Sequence, residues 1–129
     1  MAMKNIEMFN RLSACLFAEL YETFPKPIVH LSVMKFCEKY GCEEAQDVFK
    51  ATMEFLAYEG LIRYKDSTAT VSGFSHVILT LKGFGVLGEV PNSLKPKESV
   101  GEVVIEKIKS GAFNIASDVI QNALLGMIR

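Results

Sequence analysis

Several things are scarce in this chain, and each scarcity excludes something. Cysteine occurs three times, as Cys15, Cys37 and Cys42, an odd count with no CxxC spacing. That pattern argues against a disulfide framework and predicts buried free thiols in a reducing compartment. Histidine occurs twice, as His30 and His76; a metal would have to recruit ligands from separate segments, so no metal site is expected. No uninterrupted apolar run approaches the roughly 18 residues that a membrane span needs. The opening residues, MAMKNIEMFN, lack a charged n-region followed by an apolar core and a small-residue cleavage site. A cytoplasmic protein without membrane contact is the expectation. Charge of one sign is scarce too: 14 Lys plus Arg face 15 Asp plus Glu, a formal net charge of -1, which supplies no global attraction to nucleic acid. Internal repeats and low-complexity segments are missing.

What is present is a globular composition. With 129 residues, 50% hydrophobic and 22% charged, the chain can bury one real core and is too short for two independent domains. Ile6, Phe9, Leu12, Leu16 and Leu20 recur at three- and four-residue spacing, which predicts an amphipathic helix with one buried stripe from about Lys4 to Glu22. Pro25 and Pro27 end it, and Ile28 to Leu31 are expected as a short strand. Ser32 is placed to cap a second helix with Val33, Phe36, Cys37 and Tyr40 inward and Gly41 at its end. Glu43, Glu44 and Asp47 suit the positive end of a third helix, whose buried stripe is Val48, Phe49, Thr52, Phe55 and Leu56 and whose stop is Gly60.

Leu61 to Tyr64 and Val77 to Leu79 predict two strands about a polar turn at Asp66 to Gly73. Thr80 caps a short helix in which Gly83, Gly85 and Gly88 each cost about 1 kcal/mol of helix propensity relative to alanine. Residues 91–98, with Pro91 and Pro96, form a linker between a domain at 1–90 and a helical extension at 99–129. Ser99-Val100-Gly101-Glu102 has the form of a capping box. Gly111 separates that helix from a last one, about Ala112 to Met127, whose apolar stripe lies opposite Asn114, Asp118, Gln121 and Asn122.

Helix, short strand, helix, helix and two-stranded wing over about residues 4–88 resemble the winged helix-turn-helix superfamily. The residues that carry the resemblance are Phe24-Pro25-Lys26-Pro27-Ile28, Glu59-Gly60-Leu61-Ile62 and Leu79-Thr80-Leu81-Lys82-Gly83. With its apolar tail, the layout is also similar to small winged-helix proteins of unknown function in bacteria and prophages. The expected fold is therefore α+β and mainly α: a three-helix core with a two- or three-stranded wing sheet, plus a C-terminal helical extension.

The resemblance implies double-stranded DNA as a partner, with the third helix in the major groove and the wing against backbone or minor groove. It would place Lys50 and Tyr58, with Gln46, Asp47, Ala51 and Glu54, on the groove side of that helix, and Arg63, Lys65, His76 and Lys82 on or beside the wing. The third helix departs from what DNA needs. Between Glu43 and Glu59 the acids Glu43, Glu44, Asp47, Glu54 and Glu59 face the single cation Lys50, and a duplex presents one phosphate charge per roughly 1.7 Å of axis. Binding through the wing is the remaining route to DNA.

The second expected partner is a protein. The tail carries Ile115, Val119, Ile120, Ala123, Leu124 and Met127 on one stripe, suited to self-association or to another chain. No catalytic or cofactor-binding residue is assigned. The glycines at 83, 85 and 88 lack the strand, helix and acidic partner of a nucleotide fingerprint, and Glu43 and Glu44 point about 100° apart on a helix. An enzyme using Cys37 or Cys42 is a third reading. The expected function is a small regulatory or DNA-associated adaptor, a transcriptional regulator by resemblance. The alternative is a protein-interaction module or homo-oligomeric scaffold that binds no DNA.

Overall fold

Residues 5–65, 73–88 and 99–126 are described by a computed structural model. The expected linker at 91–98, the expected turn apart from Gly73, and Met127 lie outside them. The elements run α1 (Asn5–Thr23), β1 (Ile28–Ser32), α2 (Val33–Lys39), a 3-10 turn (Glu43–Ala45), α3 (Gln46–Tyr58), β2 (Ile62–Arg63), β3 (Gly73–Leu79), α4 (Leu81–Gly88), α5 (Val100–Lys109) and α6 (Phe113–Gly126). The class is α+β, mainly helical. The three strands form one antiparallel sheet in the order β1-β3-β2, with Leu31 opposite Phe74 and Ile62 opposite Leu79.

The local signals that start and stop these elements act as the residue types dictate. The Ser32 side chain accepts from the Lys35 amide at the start of α2. Gly41 and Gly60 take φ of +70° and +78°, the left-handed geometry that closes α2 and α3 and that a side chain disfavours. Ser99 and Glu102 form the reciprocal capping box at the start of α5. Thr80 Oγ1 accepts from the Gly83 amide at 3.1 Å, beginning α4.

α1 is not the one-sided helix its spacing predicts. Met8, Leu12, Ser13, Ala14, Cys15, Leu16, Phe17, Ala18 and Leu20 are all buried, because α3, α4, α5, α6 and β3 pack around it. Over residues 12–18 the helix is covered on every side and keeps no polar face, and its small residues Ser13, Ala14 and Ala18 admit close neighbours. Ile6, assigned to the stripe by spacing, lies beyond the cover and is 72% exposed.

The residues after the linker join the same core: Val100, Val104, Ala116 and Ile120 cluster with Leu12 and Leu16. Three contacts fix the joint. The Tyr21 and Ser99 hydroxyls are 3.2 Å apart. Gly101 lies against the Tyr21 ring so closely that an added Cβ would come within 2.6 Å of it. Arg11 donates to the Tyr40 carbonyl at 3.0 Å while its guanidinium covers the Phe113 ring at 4.3 Å.

Ser99→Ala removes both the cap and the tyrosine contact, and a loss of about 1–2 kcal/mol is expected in denaturant unfolding. The Glu102 carboxyl is held below the usual carboxylate range by the hydrogen bonds from Ser99, the backbone N–H first. A folded pKa below the unfolded one means that this contribution is complete above the unfolded value and is lost as pH falls through the folded one. Glu102→Gln should therefore flatten the acid limb of the stability profile.

Candidate docking face and nucleic-acid edge

α3 buries Phe49, Thr52, Met53 and Leu56, which leaves Asp47, Ala51, Glu54 and Tyr58 pointing outward and exposed, with Lys50 half-buried at one flank. Tyr58 is 88% exposed. The one cation of the helix thus stands at the edge of a face whose charged members are otherwise carboxylates.

The remaining candidate residues for nucleic acid lie on the sheet. Ile62 is buried and Tyr64 half-buried, its ring 4.8 Å from Phe74; the alternation turns Arg63 and Lys65 outward together. β3 keeps its register with β1 from Ile28–Val77 to Ser32–Gly73 but departs from regular pairing with β2. Arg63 faces Ile78, whereas the Lys65 amide donates to the Ser75 carbonyl at 2.9 Å, one residue out of register. The extra residue is His76, exposed, with φ of +53°. The slip of register lets both Phe74 and Val77, three residues apart, be buried. It also sets His76 beside Lys65. Lys82 is employed elsewhere: its Nζ donates to the Glu59 carbonyl at 3.2 Å, favourable at the negative end of α3. Arg63, Lys65 and His76 thus lie exposed along the β2–β3 pairing, whereas Lys50 and Tyr58 belong to α3 and Lys82 to α4.

A second feature shares only Asp47, Ala51 and Leu124 with the expected site residues. The crease between the first turns of α1 and α3 is an open groove of about 410 Å³, floored by Ile6, Phe9, Val48, Ala51 and Phe55 and bordered by Asp47. A further hollow of about 200 Å³ continues it toward α6, lined by Phe9, Phe55, Leu61, Leu124 and Leu125 with Glu59 at its border. Phe9 and Phe55 meet edge to face at 5.7 Å and stand between the two. Ile6, Phe55 and Leu125 are 72%, 52% and 53% exposed. Among the described residues, the ionisable ones lining the two hollows are the carboxylates Asp47 and Glu59.

Phe55 and Ile6 carry core spacing, so periodicity assigns them inward. A usable signal was the width of the apolar arc on α3. Val48, Phe49, Ala51, Thr52, Met53, Phe55 and Leu56 cover more of the circumference than one packed neighbour hides.

The tail stripe divides. Ala116 and Ile120 are fully buried in the chain's own core, Val119, Ala123 and Leu124 pack half-buried against it, and Ile115 stays 50% exposed. The three cysteines are buried and free. Burial pushes the Cys15 thiol up to about 12 and Cys37 up to about 11, and raises Cys42 as well, so none has thiolate character at neutral pH. Native protein should be inert to Ellman's reagent and release three equivalents after denaturation.

Among the described residues there is no group of three or more His, Cys, Asp or Glu able to hold a metal, and no helix long and apolar enough to cross a membrane. Comparison with protein-family models, curated proteins and solved structures finds no match for the chain.

Proposed function

We propose that the chain is a small regulatory adaptor built on a winged helix, and that it works by docking another protein on the face shared by α1, α3 and the end of α6. The winged-helix reading draws support from the order helix, strand, helix, helix, paired strands, and from the sheet order β1-β3-β2. The observation that carries the docking reading is Phe55. It is a large ring left 52% exposed between two apolar hollows, on the helix that the resemblance assigns to reading DNA. A contiguous apolar surface of this kind is characteristic of protein contact, and its acidic border repels phosphate. Self-association through α6 has less to offer, since most of its stripe is already packed in the chain's own core.

A photo-reactive residue at position 55 tests this in cells. A discrete crosslinked adduct is expected there and none at Lys35, exposed on α2; equal crosslinking at both positions, or none at position 55, contradicts the reading.

A DNA contact at the edge formed by Arg63, Lys65 and His76 is the second reading, favoured by the exposure of those three residues along the β2–β3 pairing. Two or three phosphate contacts give a shallow salt dependence, a log–log slope of about -2 to -3. Replacing Arg63 and Lys65 with Glu should abolish any duplex binding seen by anisotropy at low salt; unaltered affinity would remove this edge from consideration.

A further inference from the structure

Resting on the docking reading above, we infer that the face takes a basic amphipathic helix from another protein. A crease between two helices is shaped for a third, and the two hollows on either side of the Phe9–Phe55 pair suit successive apolar anchors on one face of such a segment. The charge pattern narrows the occupant further. Asp47 borders the groove near the start of α3 and Glu59 borders the second hollow just past its end. Those two positions are twelve residues apart in sequence, or about 18 Å at the helical rise. Exposed Glu54 stands between them on the outward flank. A segment of three to four turns with Leu- or Phe-like anchors and Lys or Arg toward both ends matches apolar floor and acidic border together.

The same pattern disfavours the other occupants. A second copy docked by a twofold axis would bring the carboxylates Asp47, Glu54 and Glu59 of one copy against the same set on the other. Duplex DNA and anionic lipid meet these three carboxylates against Lys50 at the flank and Lys82 at the Glu59 carbonyl, a balance that offers phosphate no attraction.

The test is a displayed library of helix-biased peptides, panned on the full-length protein and counter-panned on Phe55→Asp, with the most enriched sequence then synthesised and titrated. Phe55 is half exposed, so the variant should fold; Ile6→Asp, in the first turn of α1, serves in its place if it does not. Enriched peptides should carry apolar residues at i, i+3 or i+4, and i+7, with an excess of Lys and Arg. The double variant Asp47→Lys, Glu59→Lys should weaken the synthesised peptide about fivefold to tenfold at low salt. Enrichment of neutral or acidic peptides that still depend on Phe55 would keep the docking face and overturn the basic occupant. Absence of any enrichment, or enrichment indifferent to Phe55 and Ile6, would overturn the docking face itself. A dimer by light scattering that Phe55→Asp converts to monomer would make a second copy the occupant and overturn the inference.

Discussion

Gly83→Ala should destabilise the protein by about 3 kcal/mol, even though alanine is the better helix former by about 1 kcal/mol. Gly83 lies within α4, and a Cβ there would come 2.1 Å from the Leu61 carbonyl oxygen and 3.1 Å from its carbon. Those atoms are backbone and cannot rotate aside. The Leu61 carbonyl also accepts from the Thr80 amide at 3.1 Å, so moving it disturbs the junction of β2, β3 and α4 together. Gly85, in the same helix, has nothing within 4 Å of its Cβ position, and Gly85→Ala should stabilise by up to about 1 kcal/mol. Opposite signs for two identical substitutions in one short helix separate packing from propensity. Thermal unfolding of both variants checks it, at about 4 °C per kcal/mol for a chain of this size; equal shifts would show that α4 is not pressed against Leu61.

Phe49→Ala should cost about 3–5 kcal/mol. The Phe49 side chain is wholly buried. Its ring stacks on Phe36 at 4.5 Å and meets Phe74 edge-on at 6.4 Å, so one side chain ties α3 to α2 and to the sheet. The loss is a large part of the roughly 5–15 kcal/mol that holds a domain of this kind together. Phe55→Ala, on the same helix but half exposed, should cost only about 1 kcal/mol. Chemical denaturation of the two variants ranks them, and a reversed order would place the core on the wrong side of α3.

Residues that act on their own backbone were legible in the sequence. Ser32 and Ser99 cap because a hydroxyl reaches an amide three residues on; Gly41 and Gly60 stop helices because the left-handed turn excludes a side chain. Pro25 and Pro27 end α1 for equally local reasons. What escaped depends on partners distant in sequence. Ile6 and Phe55 keep core spacing, yet among the described residues no element reaches far enough to cover them. Gly83 reads as a weakness in a helix until Leu61, twenty-two residues earlier, is seen to occupy the space a side chain needs. β3 begins at Gly73, four residues before the expected Val77, because the displaced register at His76 disguises its alternation. The candidate site divides in the same way. The acidity of α3 and the basic residues of the β2–β3 edge were countable, whereas the apolar groove exists only where α1 meets α3.

The exposed face of α3 either is left to a protein partner or receives DNA. Amide NMR of the labelled full-length protein, recorded as a mixed-sequence duplex is added at low salt, tests this directly. Any shifts are expected to be confined to the edge around Arg63, Lys65 and His76, with the amides of Asp47, Lys50, Glu54 and Tyr58 unmoved. Movement of those α3 amides together would place DNA on the acidic face and contradict its assignment to protein docking.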